Sequence, residues 1–305
     1  MKILFSLLFL CSYIHLSAQL PDVKKTREVA KHLQAISVTI KAKSGYSASE
    51  GSGVLINRKV DGELVTFVWT CAHVIDNLRQ VREVIDDGRP RKVVEFKDAQ
   101  IVKELVEGGR RVGEMKMDAR VVKYSDYEDG HDLALLMVRA RDYGKASASF
   151  YLSREAEGIV PISTPLYHVG SLLGQMGSNS MTTGIVSQVG RIHGKREFDQ
   201  TTATAFKGSS GGGVYLQDGT YVGMIARGAG EGFNLMIPIR RMRAWADHND
   251  LLWALDPDEK VPSMEDIISI SVEDSGTRKG RVNDDESKEF PFLIRKTAIY
   301  EEKLQ

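Results

Sequence analysis

Three short stretches carry residue types that work together in nucleophilic hydrolysis: Thr70-Cys71-Ala72-His73, His131-Asp132-Leu133-Ala134-Leu135-Leu136 and Gly208-Ser209-Ser210-Gly211-Gly212. A serine hydroxyl is a weak nucleophile at neutral pH. It becomes effective when an imidazole takes its proton and a carboxylate fixes that imidazole's tautomer and stabilises its charge. His73 follows an apolar run, which predicts a strand end. Asp132 opens another, where its carboxylate can be partly buried against imidazole. The glycines around Ser210 let the backbone turn so that the amides of Gly208 and Ser210 face one oxygen. One such donor typically contributes about 2.7–4 kcal/mol to the transition state. A core histidine, a turn aspartate and a turn serine are each unremarkable alone; their joint occurrence is the signal.

The Gly208 to Gly212 stretch also fits G-x-S-x-G, the elbow that presents a serine between a strand and a helix. That architecture needs the acid and the histidine to follow the serine. Here both precede it, strands follow, and the only later histidine, His248, falls in a helical stretch. The order His, Asp, Ser is instead that of chymotrypsin-like proteases.

The surrounding elements are predicted to be mainly strands. Residues 22–34 form a short helix with Asp22 as its cap. From Ile36 the pattern changes to period-two, β-branched segments at 36–40, 53–56, 64–69, 93–96, 119–122 and 133–138. Asp61-Gly62, Asp87-Gly88 and Gly108-Gly109 separate them as turns. A second strand-rich block begins near Tyr151, with segments at 165–169, 184–187, 213–215 and 221–225 and a hairpin at Asp218-Gly219. Apolar residues at Ile239, Met242, Trp245, Ala246 and Leu252 predict a helix over 239–255. The expectation is an all-β fold of two halves with a closing C-terminal helix, and no internal repeat is evident.

Length and composition fit a globular protein: 305 residues, 42% hydrophobic and 27% charged. Lys+Arg and Asp+Glu both number 41, so no global charge argues for nucleic acid or an acidic membrane. The local basic runs at 89–92 and 240–243 read as solvated faces. Lys2, an apolar run over 3–16 and Ser17-Ala18-Gln19 form an export signal, residues 1–18, cleaved after Ala18. That run is shorter than the roughly 20 apolar residues of a spanning helix, so no membrane association is expected after cleavage. Cleavage leaves Cys71 as the only cysteine and excludes an internal disulfide. Cys71 reads as a small buried hydrophobe, with redox sensitivity beside His73 as the alternative. The histidines other than His73 give no metal cluster and no glycine-rich phosphate loop appears, so no cofactor is expected. His131 reads as a bystander on the opposite strand face. From Asp256 the composition turns polar. Residues 256–305 are expected to be a partly disordered extension, with residues 290–300 either docked or disordered.

With these residues in place, the chain resembles trypsin-fold proteases of the HtrA (Deg) type. Residues 180–191 (SMTTGIVSQVGR) are similar to that family's strand ending in GIVS with a Gly-Arg pair. Residues 200–205 (QTTATA) lead into the serine as the family's QTDAAI segment does, and 232–238 (GFNLMIP) resembles its late Ile-Pro strand. The likeness runs from about Ile36 to Leu255, within an expected protease domain of residues 19–255. It implies two perpendicular six-stranded antiparallel barrels, a catalytic triad of His73, Asp132 and Ser210 between them, and an oxyanion hole from Gly208 and Ser210. It further implies Thr204 at the base of the pocket for the residue before the scissile bond. Ala226, Arg227 and Gly228 would pair with substrate backbone.

Departures are visible too. Ser209 stands where digestive trypsins carry the aspartate of their activation switch, and Gly213 replaces the family's usual proline or alanine. The 50 residues after Leu255 are too few for a PDZ domain, which leaves oligomerisation open. Threonine at 204 argues for small or medium apolar residues in the pocket rather than Arg or Lys. Arg227 is either a contact for an acidic substrate side chain or simply solvated. The expected activity is that of a periplasmic or secreted serine endopeptidase acting on polypeptides. The competing class is a non-catalytic protein-binding module that keeps the same fold.

Overall fold

The computed structural model describes residues 23–86, 89–141, 143–152, 158–228 and 232–274. The expected signal segment, Asp22 and residues 290–300 lie outside them. Among the described residues no helix is long and apolar enough to cross a membrane.

Helix α1 (Val23–Ala35) buries Leu33 and ties Gln34 to Asn179 O at 3.1 Å. The first barrel then takes β1 (Ser37–Ser44), β2 (Ser47–Val60) and β3 (Glu63–Thr70) in antiparallel succession. Asp61 and Gly62, with φ of 49° and 86°, join β2 to β3. That left-handed pair suits the twist of a tight hairpin. A short helix α2 (Ala72–Ile75) follows, then a separate hairpin of β4 (Arg79–Asp86) and β5 (Arg89–Phe96). Strands β6 (Ala99–Glu107), β7 (Arg110–Ser125) and β8 (Leu133–Val138) complete the barrel, which closes through β6 against β1.

The second barrel takes β9 (Pro165–Leu172), β10 (Gly177–His193), β11 (Arg196–Thr201), β12 (Gly213–Tyr215), β13 (Tyr221–Gly228) and β14 (Asn234–Pro238). Its closed order is β10-β11-β14-β13-β12-β9. Two six-stranded antiparallel barrels are the expected fold class.

All six residues of β8 are buried. One side chain set fills the barrel while the other meets neighbouring segments, so the strand reads as a continuous apolar run rather than an alternation. The main core joins the first barrel to the inner edge of the second, including Trp69, Leu135, Met224 and Trp245. A smaller cluster around Leu166, Val186, Val214 and Met236 fills the second barrel.

The closing helix is shorter than expected. Helix α3 (Ile239–His248) stops where Asp250 turns left-handed at φ 57°, and a 3-10 turn over Leu252–Ala254 replaces its last part. It packs on β13 and β14 of the second barrel and also reaches the first. Arg240 pairs with Glu197 and Asp199 of β11, while the Trp245 ring meets Trp69 of β3 edge-on at 5.9 Å. Trp69 Nε1 donates to Ala254 O at 3.1 Å.

The chain also stays on the body past Leu255. Helix α4 (Met264–Ser269) begins with a Ser263/Asp266 capping box, in which side chain and backbone satisfy each other's free donors. Tyr124 N then donates to Val272 O at 2.7 Å, and Trp245 Nε1 to the Asp274 carboxylate at 2.8 Å. Residues 256–274 are therefore a strap on the first barrel. Its polar composition concealed it: Ile267 enters the main core and Val261, Met264, Ile270 and Val272 pack against that core, but they are scattered among charged residues.

Candidate active site

His73 lies in α2, one turn beyond the end of β3. Thr70 Oγ1 donates to Ser52 O at 2.7 Å and fixes that strand end. Cys71 adopts an extended conformation before the helix and is fully buried, its thiol donating to Ile225 O at 3.4 Å. Burial, then the charge of Asp132, pushes the Cys71 thiol well above its ordinary range. This is the setting of an inert structural cysteine.

Asp132 is fully buried and sits at φ 57°, a strained region for a residue with a side chain. The loop before it supplies the constraint. Asp126 Oδ1 accepts from the amides of Glu128 and Asp129 at 2.8 and 3.0 Å, and Asp126 O accepts from Asp132 N at 3.1 Å. The Asp132 carboxylate then accepts from His73 N at 3.0 Å and faces His73 Nδ1 with both oxygens at 3.0 Å. A carboxylate so placed keeps the proton on Nδ1 and leaves Nε2 as the basic nitrogen. Cys71 Sγ lies with these groups in a cluster spanning 4.8 Å. Two of the three donors are spent on each other and the third is a protonated thiol, so the set suits an imidazole–carboxylate pair better than a metal.

Behind the aspartate, Arg241 of α3 is buried. Its Nη1 donates to Glu197 O at 2.8 Å, its Nη2 donates to His131 O, and its guanidinium lies 4.6 Å from the Phe198 ring centroid. Burial pushes the guanidinium down to about 9, opposed first by the charge of Asp132. His131, expected to be a bystander, thus anchors the Asp132 loop through its carbonyl. The one sequence signal for Arg241 is a basic run, which reads as surface.

Ser210 lies in a loop shaped by backbone hydrogen bonds. Ser209 N donates to Phe206 O at 2.9 Å across a turn whose third residue, Gly208, has φ 95°. Positive φ there selects a type II turn and favours glycine. A Cβ on Gly208 would lie 2.3 Å from Ser171 O. The Lys207 carbonyl accepts from Leu173 N at 2.8 Å. In a planar trans peptide the C=O and N–H point oppositely, so the Gly208 N–H faces away from Leu173. Among the described residues neither the Gly208 nor the Ser210 amide has a protein acceptor.

Ser52 of β2 also serves this loop. Its Oγ donates to Gly208 O at 2.7 Å and accepts from Ser171 N at 2.7 Å, while its backbone N donates to Ser210 O at 2.8 Å. A serine between Gly51 and Gly53 was its sequence signal, but strands often hold such residues without function. Behind the loop, His168 Nδ1 donates to Gly213 O at 3.0 Å, and burial pushes this imidazole down to about 4.

A cavity of about 360 Å³ opens beside Ser210. It is lined by Thr204, Ala205, Phe206 and Lys207 on one side and by Ile225, Ala226, Arg227 and Gly228 on the other. All four residues assigned to substrate contact therefore border one space. Strand β12 pairs with β13 only as far as Met224, which leaves residues 226–228 with an open edge on that side. The Ser210 hydroxyl donates to Ala226 O at 3.4 Å, turned toward that edge.

Two six-stranded antiparallel barrels, with a paired histidine and aspartate on one and a glycine-framed serine on the other, are the features of the trypsin-like class of peptidase domain. Residues 51–224 match the trypsin-like peptidase domain family, and the chain belongs to it. The chain is also similar to the crystal structure of the serine endoprotease from Yersinia pestis. That likeness has a TM-score of 0.53 and 18% identity over 75% of this chain and 68% of that one, a likeness of fold. No curated protein matches the chain in sequence.

Proposed function

We propose that the protein is an exported serine endopeptidase of the HtrA type that cleaves polypeptides through an acyl-enzyme. The observation that carries this reading is the fixed Asp132–His73 pair, together with a Ser210 loop that packs against Ser52 and the Thr70–Cys71 strand end and presents two unpaired amides beside the cavity. In this reading the Ser210 hydroxyl rotates from Ala226 O to His73 Nε2. The imidazole takes its proton as Oγ attacks the scissile carbonyl, and Asp132 stabilises the imidazolium. The Gly208 and Ser210 amides receive the oxyanion. His73 then protonates the leaving amine, and water repeats the sequence on the ester. The open edge at 226–228 holds the substrate backbone as an added strand.

Labelling of Ser210 by a fluorophosphonate tests this directly. Stoichiometric labelling of the native protein and none of Ser210→Ala supports it. No labelling of a folded protein would favour the binding-module alternative, consistent with a hydroxyl resting on Ala226 O. Export is proposed from Lys2, the apolar run over 3–16 and the small residues before Gln19. A mature chain beginning at Gln19 is the expected result of amino-terminal sequencing.

A further inference from the structure

Arg227 is the charged residue at the cleft whose partners least explain it. It lies on β13 between Ala226 and Gly228, in the stretch with the open edge. Its Nη2 reaches Tyr127 O at 3.5 Å, its Nε is buried without a partner, and among the described residues no carboxylate pairs with it. Arg196 approaches the same carbonyl, its Nη1 at 3.1 Å, and its Nη2 donates to Glu128 O. Burial lowers the Arg196 guanidinium, and Arg227 lowers it further against Asp132. Two like charges therefore converge beside Tyr127, whose ring meets His73 edge-on at 6.4 Å. Lys207 stands on the cavity's other side, and no acidic residue lines it. Asp132 is already spent on His73 and buried Asp126 on the amides of Glu128 and Asp129, while the Glu128 and Asp129 side chains face solvent.

We propose that Arg227, with Arg196 behind it, forms a subsite for an acidic side chain, so that preferred substrates carry Asp or Glu immediately before the residue that enters the cavity. The inference rests on the proposed peptidase reading for the direction of the bound chain. Side chains of an extended peptide alternate between faces. When one residue enters the cavity, its predecessor points to the opposite face, beside His73 and Tyr127. A carboxylate there would give Arg227 the charge-assisted partner it lacks and relieve its repulsion with Arg196. Hydrogen bonds to charged groups correspond to roughly a 10- to 100-fold preference.

The test uses matched fluorogenic peptides differing only at that position, Glu, Gln or Lys, ahead of a common Val. For the native protein, kcat/KM for Glu should exceed that for Gln by at least about 10-fold. Arg227→Gln should erase the difference, and Arg227→Glu should make Lys the preferred residue. Equal rates for Glu and Gln in the native protein would overturn the inference while leaving the peptidase reading intact. Binding of the same peptides to Ser210→Ala, read by fluorescence anisotropy, separates the two ideas. A Glu preference in binding without any cleavage by the native protein would sink the catalytic reading and keep the subsite. If Arg227→Glu fails to fold, the native Glu preference must still weaken with rising salt; a salt-independent preference counts against the subsite.

Discussion

The two barrels prepare their halves of the site by different means. The first uses side chains: a buried carboxylate meets an imidazole, a left-handed loop holds the carboxylate, and Arg241 ties that loop to α3. The second uses backbone: glycine at positive φ, carbonyls hydrogen-bonded away from the cleft, and amides left open toward it. A side-chain device tolerates a change of shape better than a change of charge. A backbone device is indifferent to charge and intolerant of a single added methyl. Ser52 belongs to the first barrel in sequence and to the second in function.

Mutation can break that contrast. Ser210→Ala removes the nucleophile and should lower kcat/KM by at least about 10⁴-fold, while the melting temperature stays within roughly 2 °C. Asp132→Asn keeps the shape but favours the wrong imidazole tautomer, for an expected loss of about 10⁴-fold. It should also melt several degrees lower, because Asp132 is buried and bonded to His73 N. Steady-state kinetics and calorimetry on both variants check the pair. Equal melting temperatures would mean that the first barrel does not depend on this side chain.

Gly208→Ala sharpens the backbone half. The new Cβ meets Ser171 O and the residue loses its tolerance for φ 95°. The turn must shift, and the expected fall in kcat is about 10²–10³-fold with little change in KM. Ser52→Ala leaves Gly208 O and Ser171 N without their hydroxyl partner. It should reduce kcat by about 10-fold and stability by roughly 1–3 kcal/mol. An unchanged kcat with reduced stability would make Ser52 a fold residue only.

The smallest effect at neutral pH concerns His168. Its folded pKa, about 4, lies below the ordinary value of 6.5 because burial penalises the charged ring. Below pH 6.5 the unfolded chain takes up the proton first, so stability is present above that pH and lost as pH falls toward 4. The loss approaches roughly 3 kcal/mol. Melting temperature measured from pH 7 to 4 should fall less steeply for His168→Gln than for the native protein. Parallel slopes would assign the acid sensitivity to other groups.

Legibility in the sequence followed the same division. The strand segments at 64–69, 133–138 and 221–225 were plain because β-branched and apolar residues cluster in them, and all lie in observed strands. Strands β4, β6 and β11 were missed because charged residues interrupt their alternation. Helix α3 reads too long in the sequence because Leu252, Trp253 and Leu255 continue the apolar pattern through a 3-10 turn. His73, Asp132 and Ser210 stand out through local setting and chain order, and the structure places His73 against Asp132 and Ser210 beside a cavity.

By itself the sequence determined the strand-rich class, the tight turns and the three chemical groups, since these depend on local propensity and residue type. Tertiary structure decided what depends on groups distant in the chain. Leu173 fixes the direction of the Lys207–Gly208 peptide, Ser52 bonds across both barrels, and Arg241 reaches the carbonyl before Asp132. Residues 256–274 are held by the same kind of contact. A hydrogen bond's orientation is a property of two remote backbones brought together. No periodicity in one stretch of chain encodes it.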